Sequence, residues 1–441
     1  MCKIDFSLKF HLPFVLFLAP FFLCSQTTEK NGGQWIDKNE SENYTARHEC
    51  SFVQAGDAFI LLGGRESAQT LELYDFKNNT WKKAANSAPK EFNHFQATFY
   101  KGFVWIIGAF KTNSFPQEIP EEAIWLYHPP TDQWIKGPEI PEDRRRGGAG
   151  LVVYNDVFYI VGGNTIGHDG GYVNWFDAYN PKDNSWTVLE NASQKRDHFH
   201  AAVIDDVLYA AGGRQSGGEG GVFSPLVGVV DIYDFKTNKW STLKNDLPTP
   251  RAAPGIIVYK KELYVMGGEG EKKGPAFNIV EAYNPKTENW TTKTPMHYPR
   301  HGTQAILSGE GIYIAAGSPT RGGGNQHHME VYHKDQPSGE KLIASELIVP
   351  KKVKIKPGST QTITVHNKNG TTGSFITSIA LSGAAKRDYK IHSKSAYFLV
   401  DPDGQFDIVI EHLGGVSKEK ASLDIKYNGN LKKTIALEPR E

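Results

Sequence analysis

The chain has 441 residues, with 49 Lys and Arg against 49 Asp and Glu, so it lacks the basic excess by which a nucleic-acid binder attracts phosphate. Its 39% apolar and 22% charged residues argue against disorder, and a mean hydropathy of −0.45 argues against a polytopic membrane protein. Three cysteines exclude a disulfide scaffold.

Residues 1–25 have the form of a signal peptide. Lys3 and Lys9 make a positive start, Leu12 to Leu23 is an apolar stretch interrupted by Pro13 and Pro20, and Ser25 before Gln26 offers a cleavage point. A protein exported to the periplasm or secreted is expected, with no transmembrane segment, since no later apolar run reaches 18 residues. A lipid anchor through Cys24 is the rival, although Phe22-Leu23 lacks the small residues that usually precede such a cysteine.

Self-similarity follows. Apolar runs end at Gly63-Gly64, Gly108-Ala109, Gly162-Gly163, Gly212-Gly213, Gly267-Gly268 and Gly317-Ser318, in steps of 45, 54, 50, 55 and 50 residues. After each comes a loop and then a strand-like element with a tyrosine, as in LELYDF, FDAYNP and VEAYNP. Trp81, Trp134, Trp186, Trp240 and Trp290 each fall seven residues after that tyrosine. The sixth unit has Tyr332 but lacks its Trp, and Trp35 stands near the start of the chain. A period near 50 with four short strands is a propeller blade, because one blade cannot bury its faces alone. The expected fold is all-β, with six blades over residues 26–338 and the N-terminal strand completing the last one.

The Gly pair, the third-strand Tyr and the fourth-strand Trp resemble the Kelch repeat family over roughly Gln34 to Asp335. From Gly339 the marks stop, and alternating segments such as TQTITVH, FDIVIEH and ASLDIKY are separated by Pro357-Gly358, Asn369-Gly370, Asp403-Gly404 and Asn428-Gly429. They predict an immunoglobulin-like β-sandwich over 339–441, similar to the Hydin-type group.

In the Kelch resemblance, the residues before the first strand and the loop from the second to the third strand share one face. Arg47, Arg146, Arg196, Arg251 and Arg300 precede the first strands, beside His48, His94, His198 and His301; Arg65, Asn164, Arg214 and Glu269 follow the Gly pairs. These residues are expected to ring a channel mouth, where convergent arginines suit the carboxylates or sulfates of an acidic glycan, or a protein partner. The competing reading makes them hydrogen-bonding residues between blades. The loops 164–175, 214–225 and 318–328 add Tyr172, Trp175 and Phe223 for stacking, with His168, His327 and His328 as polar reach.

No cofactor is expected, and no metal: His198-Phe-His200 and His327-His328 have no Cys, Asp or Glu at reinforcing spacing. The exported oxidases of the galactose oxidase group are similar in layout, and Cys50 occupies a position like their cysteine. Phe95 stands where their cross-linking tyrosine is required, so that copper chemistry is disfavoured. The remaining enzyme alternative resembles the periplasmic Kelch sialic-acid mutarotase, with Glu269, Glu219 and Arg214 or Arg251 as carboxylate and cation.

Overall fold

A computed structural model describes residues 33–38, 43–65, 70–415 and 419–440; the expected signal segment lies outside these. Each repeat folds as a four-stranded antiparallel sheet. The first comprises Cys50–Ala55, Ala58–Gly63, Thr70–Asp75 and Thr80–Ser87. Four further sheets repeat this meander between Thr98 and Thr292. The last contains Ala305–Ser308, Gly311–Ala315 and Met329–Tyr332, with Trp35–Lys38 as its outer strand. First strands of successive sheets lie side by side, and Cys50–Ala55 adjoins Ala305–Ser308, so the six sheets close into a circle.

Burial explains the sequence pattern. The second strands are covered on both faces, as in Phe103–Ile106, where every residue is buried, and therefore read as continuous apolar runs. The fourth strands lie at the rim and are less covered, as in Thr80–Ser87, where no residue is buried. Between rim and core, the repeated aromatics are cross-strand partners within one sheet: Tyr74 opposes Trp81, Tyr283 opposes Trp290, and Trp35 opposes Tyr332. Their ring centroids are 5.2, 5.3 and 5.3 Å apart, a separation at which aromatic pairs add about 1 kcal/mol beyond burial. The Trp35 indole N–H also donates to Thr294 O at 2.9 Å, tying the N-terminal strand to the preceding sheet.

The glycine marks are set by the neighbouring sheet. Gly63 has φ of 71°, and a Cβ there would lie 2.4 Å from Phe92 O, the carbonyl that accepts from the Gly64 N–H. In the sixth repeat the equivalent pair is Ala316-Gly317, with φ of 61° and 91°, one residue earlier than the Gly317-Ser318 read from sequence. Ala316 keeps the left-handed backbone with its N–H held by Tyr44 Oη at 2.9 Å.

Residues beyond 345 form a four-stranded and a five-stranded sheet around one core, including Leu347, Ile363, Ile408, Leu423 and Ile435. This unit is packed onto the ring of sheets: Phe375 and Leu399 enter a cluster with Trp105 and Phe158, and Phe375 meets Trp105 edge-on at 5.6 Å. Backbone bonds run from Gly373 N to Lys101 O and from Leu399 N to Pro181 O, both 2.8 Å. Among the described residues, no helix is long and apolar enough to cross a membrane.

Candidate functional site

A three-residue segment ahead of each first strand obeys one local rule. They are Arg47-His48-Glu49, Phe92-Asn93-His94, Arg146-Gly147-Gly148, Arg196-Asp197-His198, Arg251-Ala252-Ala253 and Arg300-His301-Gly302. The middle residue pairs through its backbone with the residue after the Gly pair, for example Asp197 with Arg214 and Ala252 with Glu269. The third residue is left-handed in all six, with φ between 48° and 66°. Hydrogen bonds pass around the axis through these third residues: His94 N to Glu49 O, Gly148 N to His94 O, His198 N to Gly148 O, Ala253 N to His198 O and Gly302 N to Ala253 O. They line a small cavity of about 20 Å³ with Cys50, Phe95, Phe199 and His200. Left-handed backbone at Glu49, His94 and His198 costs about 1–2 kcal/mol each, a strain the surrounding packing sustains.

The arginines do not face the mouth. Arg47, Arg146, Arg196, Arg251 and Arg300 are fully buried, and each turns into its own sheet. They are ion-paired to Glu72, Asp177, Asp231, Glu281 and Glu330 respectively, the acids two residues before the repeat tyrosine. Each also donates to strand carbonyls, as Arg300 does to Ala316 O at 2.8 Å and His328 O at 2.9 Å. In the second sheet both partners change together: Phe92 replaces the arginine and Trp125 the acid, with rings 6.1 Å apart. This corrects the expected arginine ring. Guanidinium groups this close to the backbone are drawn to unpaired strand carbonyls and a buried carboxylate, because burial penalises an unpaired charge heavily.

The remaining expected residues do converge. Arg65 binds Glu118 at 3.0 Å, and His168 Nδ1 approaches the same carboxylate at 2.8 Å. Glu49 bridges His94 Nε2 at 3.6 Å and His301 Nδ1 at 3.4 Å. His301 Nε2 lies 3.3 Å from Glu269, which also pairs with Arg214 and accepts from Gly322 N at 2.7 Å. His198 Nδ1 contacts Asp197, and Asp197 accepts from Ser216 N at 3.0 Å. His48 stands beside this network, with Nδ1 2.6 Å from Asn325 Oδ1.

Burial sets the electrostatics. It holds His94 and His198 well below the usual histidine range. It would raise Glu49, Glu118 and Glu269, but neighbouring histidines, with Arg214 at Glu269, outweigh it and lower all three, Glu118 to about 2. At His301 burial is outweighed by Glu269 and Glu49, so its pKa is raised. Burial pushes the Cys50 thiol up to about 11.

The loop aromatics are engaged internally. Trp175 lies under Arg144 at 4.4 Å, Phe223 sits between Arg321 at 4.2 Å and Arg214 at 5.0 Å, and His328 stacks on Tyr298 at 3.9 Å. Residues that sequence reasoning did not single out complete the cluster: Glu49, Asn93, Glu118, Asp197 and Ser216. Three histidines from different repeats, His94, His168 and His198, bring one ligand nitrogen each within 4.8 Å of the others, although no metal spacing was legible. The acids two residues before each tyrosine were a signal available in the repeats, since five carry Arg with acid and one carries Phe with Trp.

Comparison with known proteins agrees with this architecture. Residues 33–213 match the KLHDC2/KLHL20/DRC7 Kelch-repeats domain, and residues 195–246 and 250–297 match the Kelch motif. Kelch-like protein terF of Aspergillus terreus is 29% identical over 224 residues, 46% of each chain. Kelch-like protein 36 of Mus musculus is 28% identical over 196 residues, covering 43% of this chain and 30% of that one. Alpha-scruin of Limulus polyphemus is 27% identical over 152 residues, covering 33% and 15%. The chain thus spans less than half the length of these relatives. A solved structure described as "Structure of YjhT" shares the fold, with a TM-score of 0.55 and 14% identity over 66% of this chain and 97% of that one. Repeat spacing, sheet topology and matches that together span residues 33–297 make this chain a β-propeller protein of the Kelch-repeat family.

Proposed function

We propose that the chain is an exported interaction protein, a six-bladed Kelch propeller followed by an immunoglobulin-like domain, that docks a protein partner on the loop face around the channel mouth. The observation that carries this reading is a set of exposed apolar residues on two neighbouring loops: Phe115, Ile119 and Ile166 are 53%, 52% and 45% exposed. The loops are fixed to each other by the bond from Asp169 N to Pro116 O at 3.1 Å and by Glu118 beneath them, which accepts from His168 N at 3.0 Å. Apolar side chains held on rigid loops and rimmed by polar groups are the usual mark of a docking patch.

An acidic glycan is less favoured, because the five arginines that would recognise it are neutralised inside the sheets. A mutarotase-like enzyme is also less favoured. Glu269 and His301 could exchange a proton, but they are buried, and the axial cavity of about 20 Å³ is far below the several hundred Å³ of ordinary ligand pockets.

The test is crosslinked capture from the native envelope, comparing the wild type with F115S/I119S/I166S, alongside binding to neutral, uronic, sialylated and sulfated sugars at low and high salt. The reading expects a partner captured by the wild type and lost in the variant, with unchanged thermal unfolding. Salt-sensitive binding to acidic sugars that survives the substitutions would overturn it. Export is tested by the mass of the processed chain, expected to begin at Gln26.

A further inference from the structure

We propose that His94, His168 and His198 hold a divalent transition-metal ion of the zinc class through their Nε2 atoms. The inference stands on side-chain geometry and is independent of the docking reading. The three imidazoles meet edge to face, with centroids 4.9, 4.6 and 4.8 Å apart.

Each ring is oriented by an oxygen at its other nitrogen. His94 Nδ1 lies 2.5 Å from Asn93 Oδ1, His168 Nδ1 lies 2.8 Å from Glu118 Oε1, and His198 Nδ1 contacts Asp197 Oδ1. Carboxylate and amide oxygens only accept, so they place the proton on Nδ1 and leave the lone pair on Nε2. This outer-shell arrangement is the one that orients metal-ligating histidines.

The Nε2 atoms of His94 and His198 are buried without a hydrogen-bond partner. Simple packing of three imidazoles would leave these lone pairs desolvated, at about 1–3 kcal/mol each. A bound cation removes that penalty. One ligand nitrogen from each ring lies within 4.8 Å of the others. A tetrahedral ion with metal–nitrogen bonds of about 2.0–2.1 Å needs nitrogens roughly 3.4 Å apart, so closure takes an inward shift of under about 1 Å per ring.

The acids at the cluster suit a cation, and the two arginines that act on His198, Arg65 and Arg214, are themselves ion-paired, to Glu118 and Glu269. Glu49, 3.6 Å from His94 Nε2, Glu118 and Asp197 are the acids closest to the rings. The adjoining cavity of about 20 Å³ has room for about one water, so the fourth position takes Glu49 or a single water. The ion would therefore clip the loop around His168 to the residues that begin the second and fourth sheets.

The test titrates the full chain, stripped with chelator and desalted, with Zn(II) by calorimetry and with Co(II) by visible absorption. One equivalent per chain, tetrahedral cobalt bands and a higher unfolding temperature with Zn(II) are expected. H168A, whose substitution lies on a loop, should lose the cobalt bands. E118Q should weaken binding by about 10–100-fold, the range seen when an orienting partner is changed. H327A/H328A should bind as the wild type does. Absence of stoichiometric uptake by the wild type, uptake unchanged in H168A, or uptake lost only in H327A/H328A would each overturn the assignment.

Discussion

Arg196 and His198 stand two residues apart, yet they belong to opposite kinds of site. Arg196 turns into its sheet, donates to Gly212 O and Val229 O at 2.8 Å and pairs with Asp231 at 3.0 Å. His198 turns to the axis, is oriented by Asp197, and keeps a buried nitrogen without a partner. The left-handed residue at the axis separates the two directions. The five arginines therefore hold their own sheets together from within, while the cluster of histidines has coordinating capacity to spare.

The largest effects should come from the arginine side of this comparison. Arg251→Ala strands the buried Glu281 carboxylate, and leaving one partner of such a pair unpaired costs about 3–5 kcal/mol. The second sheet shows how the loss is compensated, since Phe92 and Trp125 occupy the two positions there. R251F/E281W should accordingly recover most of the stability, because a well-packed apolar pair replaces a buried ion pair at little net cost. The urea midpoints of the two variants check this. A double variant no more stable than R251A would mean that the arginines do more than fill and satisfy the sheet.

How legible these features were follows from the same physics. Glycine pairs and the Tyr–Trp alternation recur because every sheet solves the same packing problem, so six copies reveal them. Arginine also recurs, but recurrence alone does not say whether a side chain faces its own sheet or the axis. The co-varying acid before each tyrosine decides it. The histidine cluster is a single assembly across three repeats and uses Glu118 from a loop without a glycine signature, so no period exposes it. The long-range partner of Trp35 was legible because one missing residue in a closed series marks its own replacement.

Smaller effects should separate strain from contact at the axis. Ala253 and Gly302 have left-handed φ of 49° and 66°. Ala253→Gly relieves about 1–2 kcal/mol of strain and loses about half of that to unfolded-chain entropy, so its stability should change by under about 1 kcal/mol. Gly302→Ala should cost more, about 1–2 kcal/mol from the left-handed backbone alone, because the new Cβ would also lie 2.8 Å from the Glu49 carboxylate. Thermal unfolding ranks the pair. Equal effects would show that Glu49 is not held against Gly302.

The smallest effect near neutral pH concerns the join between the propeller and the C-terminal sheets. His128 is buried there, with Nδ1 2.7 Å from Thr131 Oγ1 and Nε2 3.3 Å from Thr372 Oγ1. Burial lowers its pKa to about 4. The unfolded chain, with a histidine pKa near 6.5, then binds more protons than the folded chain between about pH 6.5 and 4. Stability must fall with acidification across that window and be insensitive to this group above it. The loss amounts to about 1 kcal/mol at pH 5.5 and grows towards pH 4. Asp156, on the same side of the ring, stays ionised throughout, because Tyr100 and Lys182 hold its carboxyl well below the usual range. His128→Gln keeps a polar side chain beside Thr131 and Thr372 but cannot titrate, so it should flatten the pH dependence of unfolding over this window. An unaltered profile in H128Q would place the acid sensitivity elsewhere, among the axial histidines rather than at the join.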